Sequence, residues 1–307
     1  MTPMSGDPRA PVDIPPWAGS IPDSFTQGVI TEAGAGGIEW LAELPHLIGQ
    51  LCSDWDLLPE TKPMHGYLGL VVPVRQGDVH HVLKVTYGSD DVRRESIALN
   101  AWRGEGAVRL IRSDVDRGAL LLERLVPDRT LADVPVAEAV PVAARLLRRL
   151  AVAAPDGLPT VAERVDEWET TWPERWDRLG RPVPRALLDA ALDAAQRWRA
   201  ESNRLLIDDD LHYGNVLAGE REPWLVIDPK AVVGDPEFGV APLLWRRFDE
   251  PGLADRFQMI VDGACLESER ARAWTLARTI DYWLWAVGAG LTHDPVMCRT
   301  VAEWLTT

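Results

Sequence analysis

Asp210, Asn215 and Asp228 are the residues whose types and spacing point most directly to chemistry. They fall in LIDDDLHYGNVL, from Leu206 to Leu217, and in the strand-like WLVID that ends at Asp228. Asp210 precedes Asn215 by five residues, and Asp228 follows the Asn by thirteen. Phosphoryl transfer from a nucleotide calls for this set: a carboxylate to orient and deprotonate an acceptor hydroxyl, and an Asn and an Asp to hold metal ions on the phosphates. Acids beside Gly and Asn also make plain solvated turns. Here Leu205 to Ile207 lead in, Val216 and Leu217 follow, and Leu225 to Ile227 run into Asp228. Such short apolar runs read as small buried strands presenting polar residues at their ends.

A kinase further needs a cation on the phosphates and an acid to aim it. Lys84 sits inside the apolar strand VLKVTY, where an unpaired ammonium is costly, and Glu95 follows eleven residues later on a helix. The order strand Lys, helix Glu, then Asp, Asn and Asp matches the kinase arrangement part by part. Gly66 and Gly69, one hairpin before Lys84, are candidates for a turn whose backbone amides cover the phosphates. The backbone around Glu123, in LLLERL, is expected to meet the adenine. With a nucleotide, ATP, comes Mg2+ held by oxygen ligands.

Two bodies must position these groups, and the pattern is α+β. Ile38, Leu41, Leu44, Leu47, Ile48 and Leu51 recur at helical spacing, with Pro45 a candidate kink. YLGLVVPVR from Tyr67 and VHHVLKVTY from Val79 flank Gln76, Gly77 and Asp78, which predicts an antiparallel hairpin. A helix is expected from Asp90, then strands in AVRLIRS from Ala107 and GALLLERL from Gly118. After Val126, Pro127 and Asp128 the composition turns helical: 135–153, 161–179, 184–202, 253–266, 269–290 and 295–305. The expected division is a Pro-rich arm over 1–36, a nucleotide-binding lobe over 37–126 and a mostly helical catalytic and substrate-binding lobe over 127–307. Most of the 14 Trp residues read as helix-packing core.

The formal net charge of −15 over 307 residues argues against a nucleic-acid binder, because no basic stripe offsets it. Solubility or a cationic small substrate accounts for it equally. Three scattered cysteines predict a reducing compartment without a disulfide framework. YWLWAVGAGL, from Tyr282, is too short to span a bilayer, so a cytoplasmic protein with no membrane partner is expected. Sequence leaves monomer and homodimer both open.

DLHYGNVLAGEREPWLVIDPKAVVGDPEF, from Asp210 to Phe238, resembles the aminoglycoside and hydroxyurea phosphotransferases, particularly the streptomycin 6-phosphotransferases. LVVPV before Lys84, AVRLI, LLLERL and WTLAR from Trp274 to Arg278 extend the resemblance. It implies a protein-kinase-like bilobal fold and ATP-dependent phosphorylation of a small-molecule hydroxyl, with Asp210 as catalytic base, Asn215 and Asp228 as metal ligands, and Lys84 with Glu95 orienting the phosphates. A streptomycin-like aminoglycoside is the first candidate acceptor, in the setting of antibiotic resistance. Hydroxyurea, another natural product in a biosynthetic pathway, and a non-catalytic nucleotide-binding role are the alternatives.

Two departures from the family pattern stand out. Asp208 occupies the position of the usual His, and Gly239 that of an Asp after the GDPxF motif; the two positions are expected to lie close, which suggests a coupled exchange. Relatives also carry acids after the Leu-Trp of a late helix, where this chain has Ala286, Gly288 and Ala289. Asp281, Glu237 and Asp249 are the remaining acidic candidates for a cationic or sugar-like substrate.

Overall fold

The structure, a computed structural model, describes residues 21–199 and 203–307. The chain divides into two compact units, one holding the described residues up to Ser96 together with Arg109–Arg124, the other Ile97–Val108 together with Leu125–Thr307.

The first unit begins with α1 (Asp23–Asp54). Its start falls inside the stretch expected as a Pro-rich arm; the remainder of that arm, residues 1–20, lies outside the described residues. α1 is broken at Gly34 (φ 56°, ψ −130°) and not at Pro45, which sits within the helix. Glycine tolerates that left-handed φ, whereas Pro in a helix sacrifices one N–H and already holds a helical φ. The sheet comprises β1 (Leu58–Pro59), β2 (Met64–His65), β3 (Gly69–Gln76), β4 (Val79–Thr86), β5 (Leu110–Asp114) and β6 (Ala119–Glu123), with α2 (Ser89–Trp102) between β4 and β5 in the chain. The strands run antiparallel in the order β1-β3-β4-β6-β5, and β2 adds to β3. β3 and β4 pair from Gly69↔Thr86 to Gln76↔Val79 around Gly77, whose φ of 57° suits the tight turn. Alternate inward residues such as Leu70, Val72, Val74, Leu83 and Val85 meet Leu44, Ile48 and Leu51 of α1 in one apolar core. Ile38, expected on that face, is exposed.

The second unit contains β7 (Val126–Thr130), α3 (Val136–Leu150), β8 (Val152–Ala153), α4 (Val161–Arg178), α5 (Arg185–Arg199), β9 (Leu205–Asp208), β10 (Val216–Ala218), β11 (Leu225–Val226), β12 (Ala231–Gly234), α6 (Ala241–Trp245), α7 (Leu253–Ala264), α8 (Ser268–Gly288) and α9 (Asp294–Leu305). The division departs from the one expected after residue 126. Trp102 is buried and donates its Nε1–H to the Leu150 carbonyl, and the Val108 N–H bonds the Val226 carbonyl, so 97–108 belong here. The expected strand from Ala107 correspondingly starts only at Leu110.

α4 starts at a capping box in which Thr160 and Glu163 satisfy each other's backbone N–H groups. It then places Trp168, Trp172 and Trp176 four residues apart, on one buried face. These rings join Trp274, Ile280 and Trp283 of α8 and Leu188 and Trp198 of α5 in the main core. No helix among the described residues is long and apolar enough to cross a membrane.

Candidate active site

Two short antiparallel pairings bring the three polar residues of the second unit together. β10 pairs with β11 as Val216↔Val226, and one step further the Ile227 N–H bonds the Asn215 carbonyl at 2.9 Å. Asn215 and Asp228 therefore leave the same end of one ribbon. β9 pairs with β12 as Asp208↔Ala231, and the Asp209 N–H bonds the Lys230 carbonyl at 2.9 Å, so Asp210 leaves the second ribbon beside Asp228. The Asn215 side-chain amide donates to the Asp210 carbonyl at 3.3 Å. Asp228 is held at φ 51°, a left-handed conformation that Asp tolerates better than most residues and that is found at functional turns.

Burial raises the pKa of Asp210 to about 6, with Arg278 and Arg246 pulling it down and Asp209 and Asp228 pushing it up. At neutral pH it is an ionised but basic carboxylate, suited to taking a hydroxyl proton. His212 accepts the Gly214 N–H on Nδ1 at 3.1 Å, and burial lowers its pKa to about 4, so it stays neutral.

Behind this loop lies Asp208, buried, whose Oδ1 accepts the N–H groups of Asp210 and Lys230, each at 3.0 Å. Its Oδ2 has no hydrogen-bond partner among the described residues. Burial first, with the neighbouring Asp210 and Asp209, pushes this carboxyl well above the usual range, against the two backbone N–H groups that pull it down. A Cβ on Gly239 would stand 3.1 Å from the Asp208 carbonyl oxygen and 2.7 Å from Leu147 Cδ1. Positions 208 and 239 are thus neighbours, and a side chain at 239 needs room that this packing does not leave.

In the first unit, Lys84 lies in β4 between Val71 of β3 and Leu120 of β6. Its Nζ meets Glu95 Oε2 at 2.6 Å, and both residues are buried. A Cβ at Gly69 would come within 3.1 Å of Thr86 Oγ1 and 3.4 Å of Lys84 Cε, so glycine there leaves the lysine stem its path. Gly66 and Gly69 do close a turn, between β2 and β3, but the Gly66 N–H is engaged by the Gly69 carbonyl at 2.9 Å. That amide is not open to a phosphate. The Glu123 N–H is likewise engaged, by the Arg109 carbonyl at 2.9 Å.

Asp210 lines a cavity of about 680 Å³ whose other charged walls are Arg164, Arg175, Arg178, Arg278 and Asp281. Trp245, Tyr282 and Trp285 form an aromatic wall, the rings stacked in sequence at 4.9 and 5.3 Å, with Trp285 52% exposed. Of the three acids expected around a substrate, Asp281 alone lines this cavity, and it is engaged. It accepts Trp172 Nε1–H and Arg175 Nη1–H, both at 2.9 Å. Glu237 is buried and accepts the Glu267 N–H, while Asp249 is exposed and not on the cavity wall. Gly288 and Ala289 line the cavity, whereas Ala286 is packed in the core. Sequence reasoning missed the arginines and the aromatic wall. The signal was present in α8, where Arg278, Asp281, Tyr282 and Trp285 recur at spacings of three and four and share a face.

Oxygen donors for a divalent cation are present in the right kind. Asn215 spends its amide hydrogen on the Asp210 carbonyl and keeps its oxygen for a ligand, and Asp228 adds a carboxylate. Among the described residues no group of three or more His, Cys, Asp or Glu is set to hold a metal. An Mg2+ shared with substrate phosphates needs only one or two protein ligands, and the pair fits it.

Residues 54–290 match the family model described as aminoglycoside/hydroxyurea antibiotic resistance kinase. A hydroxyurea phosphotransferase of Kitasatospora aureofaciens is 39% identical, over 93% of this chain and 85% of its own length. A streptomycin 6-kinase of Streptomyces griseus is 37% identical, over 93% of this chain and 96% of its own. Among solved structures, aminoglycoside phosphotransferase APH(4)-Ia superposes with a TM-score of 0.61 at 17% identity, over 85% of this chain and 97% of its own. Choline kinase LicA of Streptococcus pneumoniae superposes at 0.59 and 12% identity, over 88% and 99%. The fold is therefore that of the protein-kinase-like small-molecule kinases.

Proposed function

Because the chain belongs to the aminoglycoside/hydroxyurea antibiotic resistance kinases, we propose that it transfers the γ-phosphate of ATP to a hydroxyl group of a small antibiotic-like molecule bound beside Asp210. The observation that carries this reading is the Asp210 carboxylate, raised to about 6 by burial and opening onto a cavity of about 680 Å³. Asp210 orients the acceptor hydroxyl for in-line attack and takes its proton as the oxygen commits to phosphorus. Asn215 and Asp228 would hold Mg2+, which supplies charge neutralisation on the phosphates. Lys84, fixed by Glu95, contributes a positive charge to the nucleotide. Asp208 pins the backbone N–H groups on either side of this constellation, which favours a working loop over a purely nucleotide-binding one.

Streptomycin and hydroxyurea are the first acceptors to offer, since relatives are named for them. A coupled ATP-consumption assay on both, with the wild type and Asp210→Ala, tests the reading. Turnover should fall by roughly 10²–10⁴-fold in the variant; undiminished turnover would sink the assignment.

A further inference from the structure

The buried carboxylate next to Asp210 in the chain is matched by two arginines. Oδ1 of Asp209 meets Arg278 of α8, and its Oδ2 meets Arg164 of α4. One guanidinium is enough to neutralise a carboxylate, and each charge taken out of water has a cost. Burial pushes the pKa of Arg278 down, so its charge is kept against a penalty. In other respects the two arginines are alike. Both line the cavity beside Asp210, and both lie over the Phe238 ring, Arg278 at 4.7 Å and Arg164 at 5.6 Å from its centroid. They differ in what they do to the backbone. The Arg164 guanidinium bonds the Asp209 carboxylate alone among the described residues. Arg278 Nη1 also donates to the carbonyls of Asp209, at 2.7 Å, and Phe238, at 3.2 Å.

The Asp209 carbonyl belongs to the peptide unit that leads into Asp210. The N–H of that same unit, on Asp210, donates to Asp208 Oδ1 at 3.0 Å. Both ends of one planar unit are therefore held, and rotation of that plane is the motion that would swing the Asp210 side chain. Asp208 holds one end from within the loop; Arg278 holds the other from a helix 69 residues further along the chain. We propose that Arg278 is a positioning residue for phosphoryl transfer, which fixes the Asp209–Asp210 peptide and through it the aim of the Asp210 carboxylate at the acceptor hydroxyl. The role in transfer rests on the kinase reading above. Arg164 serves the charge of Asp209.

Arg278→Met and Arg164→Met each strip one arginine from Asp209, and only the first releases the peptide. In the full-length protein without nucleotide or acceptor, hydrogen–deuterium exchange at the Asp210 N–H should be about tenfold faster in Arg278→Met, the equivalent of about one net hydrogen bond, and should change by less than about threefold in Arg164→Met. The N–H of Val301, in the core of α9, is the reference that separates this local effect from lost global stability. Where Arg278→Met does not fold, Arg278→Lys, whose ammonium stops one bond short of the Nη1 position, is read in its place and should give about threefold. ATP consumption with streptomycin or hydroxyurea reads the consequence for chemistry. Arg278→Met should lower kcat by about 10–100-fold with KM for ATP little changed. In the Asp210→Ala background the same substitution should lower the remaining rate by less than about threefold, because residues that act as a unit are not additive. Unchanged exchange at Asp210, equal exchange in Arg278→Met and Arg164→Met, or kcat losses that multiply in the double variant overturn the proposal. Failure of the kinase reading is distinguishable: the wild type then shows no Asp210-dependent ATP consumption, and the role in transfer falls with it, while exchange still decides whether Arg278 holds the peptide.

Discussion

Asp210→Asn should make the protein more stable and inactive at once, and the size of the gain should depend on pH. Burial raises this carboxyl from an ordinary 3.8 to about 6. Folding therefore favours the protonated form: that contribution is complete below about pH 3.8 and is lost as pH rises through about 6. Above both values, holding the charge costs at most about 3 kcal/mol, and less in practice because the residue is only partly buried. Asparagine is nearly isosteric and carries no charge, so it escapes this cost. Between pH 4.5 and 7.5 the variant's stability advantage should grow by about 1–2 kcal/mol. Urea unfolding of both proteins in EDTA at several pH values measures the difference, and contributions from every other titrating group largely cancel. A gain that is flat with pH, or that shrinks as pH rises, refutes the claim that burial strains this carboxylate. Such a gain alongside lost turnover marks a residue kept for chemistry at the expense of stability.

Further expectations concern the same framework. With Asp210 required as the ionised base, kcat/KM should fall about tenfold per pH unit below about 6 and level off above it; an inflection near 4 would point to another group. Lys84→Met removes the ammonium that faces buried Glu95 and should cost about 3–5 kcal/mol by urea unfolding. Adding Glu95→Gln should restore most of that stability without restoring nucleotide affinity measured by calorimetry. Gly239→Ala drives a Cβ against Leu147 and the Asp208 carbonyl and should cost about 1–3 kcal/mol in the same assay; a neutral result would show that this contact gives way freely. Asp208→Asn keeps an oxygen for the two N–H groups and should retain most activity, whereas Asp208→Ala orphans both and should lower kcat more than it raises KM. Equal behaviour of the two variants would remove Asp208 from the positioning role.

How much of the site could be read from sequence follows from how far along the chain its contacts reach. Asp210, Asn215 and Asp228 were legible because each terminates a short apolar run, and antiparallel register then brings the ends of such runs together. Lys84 and Glu95 were legible because an ammonium inside an apolar strand must find an acid, and the next helix offers one. The cavity wall was not, since it forms only when α4 and α8, about a hundred residues apart, pack their Trp faces together. Sequence presents Asp281 as an acid open to a cationic substrate. Packing sets Trp172 and Arg175 against its Oδ1, so that the acid on the cavity wall is already shared with the helix core. Sequence likewise presents Gly239 as a missing carboxylate, whereas the structure shows a position already closed by Leu147 and the Asp208 backbone. The candidate catalytic residues are thus set by local register, and the cavity wall beside them by helix packing.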